Sequence, residues 1–150
     1  MSTLSAALRS LAREELAEGR AQLLELVAAD PGDAAAWAYL SGAHLAFADV
    51  SDAQAASARS IELDPDGFVP RIKAGELELR LGDLDAAEAS FLAALRAVEP
   101  GTPEAAAARR ALVIVRTRLR GSIAHGATLP RLRAPLDWLR RRRQTVGVTR

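Results

Sequence analysis

The sequence predicts an all-α protein, a right-handed solenoid of helical hairpins, and three observations lead there. Landmarks recur at a fixed period: Asp30-Pro31, Asp64-Pro65 and Glu99-Pro100 are separated by 34 and then 35 residues. Between them apolar residues fall at i, i+3/i+4 spacing, and no stretch shows the strict alternation of a half-buried strand. Turn chemistry punctuates the period, in Pro31-Gly32-Asp33 and Pro65-Asp66-Gly67. A period near 34 residues with two helices per unit marks a helical repeat array.

Helices are expected near 3–13, 17–29, 34–47, 52–63, 68–81 and 85–97, paired into units 1–31, 32–65 and 66–100. Leu11, Leu45 and Leu79 share a register, as do Leu16, Val50 and Leu84, and Gly19, Ala53 and Ala87. Val27, Ile61 and Leu95 align too, and the turn triplet Ala48-Asp49-Val50 matches Gly82-Asp83-Leu84. Leu16, Leu23, Leu24 and Val27 form an apolar stripe on the first unit's second helix, and Leu40, Leu45 and Phe47 on the next helix, with Trp37 assigned to the core. Gly75 and Ala53 are small where two helices must cross closely, and each second helix ends before a proline because the residue preceding proline avoids helical geometry.

A seventh helix is expected over 103–120, with Thr102 as its cap, Pro103 in its first turn and Glu104 at the positive end of its dipole. Its face Ala108, Leu112, Val115 and Leu119 is apolar, leaving Arg109, Arg110, Arg116, Arg118 and Arg120 to solvent, which suits a helix that closes an array. The repeat domain is therefore placed at 1–120. Gly121, Gly126, Pro130 and Pro135 interrupt any further helix, so 121–150 reads as a linker and tail.

The second unit resembles the tetratricopeptide repeat family. Trp37-x-x-Leu40-Ser41-x-x-His44, then Ala53, Ser57 and Pro65, match that family's W-x-x-L-G-x-x-Y…A-x-x-x-F…P pattern, with Ser41, His44 and Ser57 replacing the glycine, tyrosine and phenylalanine. In the third unit Gly75, Gly82, Asp83, Ala87, Phe91 and Ala94 match, while Arg71 stands where tryptophan would; the first unit keeps Leu11, Leu16, Gly19, Leu23, Val27 and Pro31. The likeness covers about two thirds of the chain.

The resemblance implies a concave surface, lined by the first helix of each repeat, that holds a peptide or helix of a partner protein. By register that surface carries Leu4, Leu8, Ala35, Ala38, Tyr39, Gly42, Val69, Ile72, Lys73, Glu76 and Arg80, of which Tyr39, Ile72, Lys73, Glu76 and Arg80 are the candidate partner-binding residues. Chaperone-docking members use a clamp of lysines, an arginine and asparagines. Only Lys73 fits here, and the chain has no asparagine. Small and aliphatic positions favour an apolar helix face instead.

Charge is unevenly spread. Residues 1–101 hold eight basic against seventeen acidic residues, a net −9, whereas 102–150 hold twelve arginines against Glu104 and Asp137, a net +10. Trp138 with Arg140, Arg141, Arg142 and Arg143 forms a candidate docking element, for another protein, for a second copy's acidic body, for nucleic acid or for an anionic membrane surface. The expected protein is thus an adaptor binding a partner in its groove, with the tail as a second contact. The alternative is a polyanion or membrane-surface binder acting through the tail.

Composition excludes several classes. There is no cysteine, hence no disulfide, thiolate metal site or thiol nucleophile. No Gly-rich phosphate loop and no H-E-x-x-H spacing occurs, His44 reads as a packing substitute for tyrosine, and His125 falls in the linker. No catalytic residue, metal or cofactor is expected. The start lacks a basic n-region with a long apolar h-region and no apolar run could span a membrane, so the expected setting is the cytoplasm.

Overall fold

The computed structural model describes residues 2–124. His125 and the predicted docking residues Trp138, Arg140, Arg141, Arg142 and Arg143 lie outside the described residues. Among those described there are seven helices and no strand: α1 (Leu4–Ala12), α2 (Leu16–Ala29), α3 (Ala34–Ala46), α4 (Val50–Leu63), α5 (Phe68–Leu81), α6 (Leu84–Arg96) and α7 (Pro103–Ala124). Residues through Thr117 belong to one compact unit. Within it α1 packs on α2, α3 on α4 and α5 on α6. The hairpins stack through α2 against α3, α3 against α5 and α4 against α5.

The turn inside each hairpin is set by the same backbone device, repeated at the sequence period. Glu14, Ala48 and Gly82 all take left-handed φ values, of 64°, 61° and 84°. The N–H of the next residue in each case reaches five positions back: Glu15 to Ser10 O at 3.0 Å, Asp49 to His44 O at 3.1 Å and Asp83 to Glu78 O at 2.9 Å. The left-handed residues bond three positions back, Glu14 to Leu11, Ala48 to Leu45 and Gly82 to Leu79. These paired bonds satisfy the last carbonyls of each first helix. Only the third hairpin uses glycine there; Glu14 and Ala48 adopt the conformation at about 1 kcal/mol each. Because the turn ends at 48, α4 starts at Val50 rather than the expected 52.

Connections between hairpins repeat as well. Asp33 N–H bonds to Asp30 O, and Gly67 N–H to Asp64 O. Asp33, Asp83 and Thr102 accept from backbone N–H groups three residues on, at 2.9, 3.1 and 3.2 Å, and so cap α3, α6 and α7. The seventh helix continues to Ala124, past the expected end at 120, because a single glycine at 121 costs a helix only about 1 kcal/mol.

Phe91, Leu23, Leu40 and Val115 are the largest fully buried apolar side chains. Close approach is built in at Gly75, where an added Cβ would lie 2.6 Å from the Phe91 ring. Trp37 is not a core residue. It is half-buried against the cluster of Leu23, Val27, Leu40 and Ala43, and its indole Nε1 donates to Pro31 O at 3.1 Å. One period later Arg71 does the same, its Nε donating to Pro65 O at 2.7 Å. The shared requirement at this register is therefore an N–H donor that ties the helix to the preceding turn, which explains how arginine replaces tryptophan. Leu24 and Phe47, expected in the core stripes, are 45% and 39% exposed.

Candidate functional site

The first helices of the hairpins, α1, α3 and α5, border a groove of about 230 Å³. Its apolar wall is formed by Leu11, Leu16, Leu45 and Ala46, with the buried Ala43 and Leu77 as floor. Tyr39, Lys73, Glu76 and Arg80 line it, so the structure brings four of the five predicted residues together. Ile72 is 8% exposed and does not line the groove; one residue before Lys73 on α5, it is rotated by a little over a quarter turn into the packing. Ala38, also expected on this surface, is buried at 1% exposure. Leu11 and Leu45 align in the repeat register, which suggests helix packing, yet both stand in the groove wall. Their shared position is the signal in the sequence that marks that wall.

Two interactions organise the charged rim. Lys73 Nζ donates to Glu76 Oε2 at 2.7 Å and lies 5.1 Å from the Tyr39 ring centroid, a cation–π arrangement that links α5 to α3. Arg80 is exposed and has no ion-pair partner among the described residues. The floor opens at Gly42, an exposed helical glycine where an added Cβ would meet nothing within 4 Å. The groove thus offers an apolar floor, an aromatic edge and one uncommitted cation. Nothing in it is arranged as a nucleophile with its base.

Beside the groove, Arg20 joins α2 to the α3–α4 corner. Its Nη1 donates to Asp49 Oδ2 at 2.8 Å while its Cζ sits 3.9 Å from the Phe47 ring centroid, which accounts for the exposed phenylalanine. His44 Nδ1 lies 3.9 Å from the same carboxylate oxygen, a neighbour the sequence did not indicate. With Asp52, these residues place three potential ligand atoms within 4.8 Å of one another. Arg20 already supplies positive charge to Asp49, so the group reads as a salt-bridged helix corner.

A second cleft, of about 420 Å³, lies between α4, α5 and α6 and includes Gln54, Ser57, Leu77, Glu78 and Asp83. Burial raises the pKa of Glu78 above the ordinary value of 4.5; a hydrogen bond with Ser90 lowers it, Asp83 raises it and Arg71 lowers it. A carboxyl group with a raised folded pKa contributes stability below its unfolded pKa and loses it as pH rises through the folded one. Glu78→Gln is therefore expected to raise the melting temperature at pH 7. The gain should vanish as pH falls below the ordinary carboxylate range. Thermal melts across pH check this, and a pH-independent difference would contradict it.

Neither a protein-family model nor a curated protein matches the sequence. Solved structures do match. PcrH in complex with the chaperone binding region of PopD is similar at 22% identity and TM-score 0.63, over 76% of this chain and 88% of that one. The Yersinia enterocolitica type III secretion translocator chaperone SycD is similar at 16% identity and TM-score 0.64, over 78% and 83% of the two chains. The P58(IPK) TPR domain is similar at 29% identity and TM-score 0.60, over 79% of this chain and 33% of that one. The fold is tetratricopeptide-like, an all-α helical-hairpin solenoid. Among the described residues no helix is long and apolar enough to cross a membrane.

Proposed function

We propose that this protein is a non-enzymatic adaptor or assembly factor of the tetratricopeptide repeat type. It holds an apolar helix or peptide of a partner protein in the α1–α3–α5 groove, with the arginine-rich C-terminal segment as a second contact. The observation that carries this reading is the groove itself, an open apolar floor framed by Tyr39, Lys73, Glu76 and Arg80. In such a site the apolar anchors supply affinity, and Lys73, Glu76 and Arg80 set orientation by pairing with polar groups at the rim. Among the similar structures, PcrH is in complex with the chaperone binding region of PopD, which supports a bound protein segment as the occupant class.

Gly42 gives a direct test, because its missing side chain is not required by packing. A peptide library panned against the full-length chain supplies the probe, and its best binder is titrated calorimetrically. Gly42→Trp fills the floor and is expected to weaken binding at least about 100-fold, since the apolar anchor loses its pocket. Gly42→Ala should preserve binding and add about 0.5–1 kcal/mol of stability. Apolar groove binding should persist at about 0.5 M salt. Undiminished binding by a folded Gly42→Trp variant would overturn the reading.

A further inference from the structure

The cleft between α4, α5 and α6 holds charge of one sign and nothing to balance it. At about 420 Å³ it falls within the roughly 300–1,000 Å³ of pockets that bury an organic ligand, and is larger than one side chain needs. Ser57, which lines it, stands at the repeat position that Leu23 and Phe91 fill in the other two hairpins, so the cleft opens where a large side chain is missing. Ile61, Leu77 and Leu81 give it an apolar wall, with Leu81 39% exposed. Glu78 and Asp83 stand beside that wall, and among the described residues no lysine, arginine or histidine lines the cleft.

Both carboxylates are held in place but incompletely satisfied. Asp83 N–H donates to Glu78 O at 2.9 Å, which fixes the two residues across the turn between α5 and α6. Asp83 Oδ1 accepts from Ala86 N–H at 3.1 Å as the α6 cap, and its second oxygen has no hydrogen bond among the described residues. Glu78 is hydrogen-bonded by Ser90, yet its Oε2 is shut off from solvent with no partner of its own. Cations on α4 and α5 are engaged elsewhere: Arg71 Nε donates to Pro65 O at 2.7 Å, Arg59 pairs with Glu62 at 3.2 Å, and Lys73 and Arg80 line the groove. On α6 the basic residue is Arg96, in the last turn. A buried carboxylate oxygen without a donor is costly to the fold, which is why Glu78→Gln is expected to stabilise it. A carboxylate kept at a cost to stability fits a site whose ligand supplies the missing partner.

We propose that this cleft takes an arginine side chain presented by a segment of a partner protein, with its guanidinium on Glu78 and Asp83 and its methylene stem along Ile61, Leu77 and Leu81. A guanidinium carries five donors in a planar fork and can serve two carboxylates at once, whereas an ammonium is a more strongly hydrated point charge. Its stem covers apolar surface while the head meets the charge. The remaining volume admits an apolar residue beside the arginine, so the ligand is a peptide segment rather than free arginine. The site is distinct from the α1–α3–α5 groove, sharing only the buried Leu77 with it, and does not rest on the groove reading.

NMR titration of the full chain tests this, with acetyl-leucyl-arginine amide as the probe. Its citrulline counterpart, neutral but of nearly the same shape, is the control. The arginine compound should shift the backbone amides of Ala58, Ile61 and Ala86, with Kd on the order of 0.1–1 mM. The citrulline compound should bind at least about tenfold more weakly. Glu78→Gln should weaken arginine binding at least about tenfold while raising the melting temperature, so that lost affinity is not lost folding. Ala58→Trp, at an exposed position on the cleft, should block the probe with a melting curve close to the parent. Equal binding of the two compounds, or undiminished binding by either variant, would overturn the proposal. So would a Glu78→Gln variant that melts below the parent at low salt, which would mark an arginine of the chain's own 125–150 segment as the occupant.

Discussion

Replacing Phe91 with alanine is expected to lower the unfolding free energy by about 3–5 kcal/mol. Phe91 is fully buried and is the largest such side chain. Its ring lies where Gly75 has no side chain, with the ring atoms Cε1, Cδ1 and Cζ between 2.6 and 2.9 Å from the position a Cβ would take. The backbone of α5 thus already lies against the ring, and Gly75 has no side chain to swing in and fill the space. Residual cavity volume, which sets where a truncation falls in that range, should therefore be large. Chemical denaturation monitored by far-UV circular dichroism measures the loss. The same fit makes Gly75→Ala unfavourable in the parent and much better tolerated beside Phe91→Ala, a coupling of about 1–3 kcal/mol. Additive effects, or a loss below about 1 kcal/mol, would show that the pair is not packed as described.

Periodicity explains why so much of this was readable. A 34-residue repeat fixes register, and register fixes which residues share a face, so Tyr39, Lys73, Glu76 and Arg80 could be grouped without coordinates. Ile72 shows the limit: adjacent helical positions differ by about 100°, and the boundary between groove and packing passes between 72 and 73. Trp37 exposes a second one. A family-matched aromatic suggests a core, yet its place is decided by a hydrogen bond to a turn carbonyl, which Arg71 also makes. Helical spacing located the apolar stripes on α2 and α7. It carries no information on whether a neighbour covers them, so the exposure of Leu24 in the α2 stripe was not legible, whereas Val113 and Ile114 fall outside the α7 stripe of Ala108, Leu112, Val115 and Leu119 and are exposed. The Arg20–Asp49–His44 corner joins residues from different helices and left no local trace.

Leu40→Ala should have an effect of similar size, about 2–5 kcal/mol, but of a different kind. Leu40 is 1% exposed and belongs to the cluster of Leu23, Val27, Ala36, Ala43 and Ala56. In the repeat register the first hairpin has Ala7 with Leu23 and the third has Gly75 with Phe91, in each case a small residue and a large one. The middle hairpin has Ser41 with Ser57, both buried, and the Ser41 hydroxyl has no hydrogen-bond partner. Little apolar volume is left there besides Leu40, so the middle hairpin leans on it. In an array held by nearest-neighbour interfaces, the middle unit couples both others, whereas a terminal unit couples to one. Phe91→Ala should chiefly loosen α5 and α6. Leu40→Ala should uncouple α1–α2 from α5–α6, lowering the apparent m-value and broadening the transition. Hydrogen exchange separates the two, with protection lost in all three hairpins for Leu40→Ala but retained in α1 and α2 for Phe91→Ala. If Leu40→Ala leaves both the m-value and the exchange pattern at parental values, the middle hairpin does not couple the array.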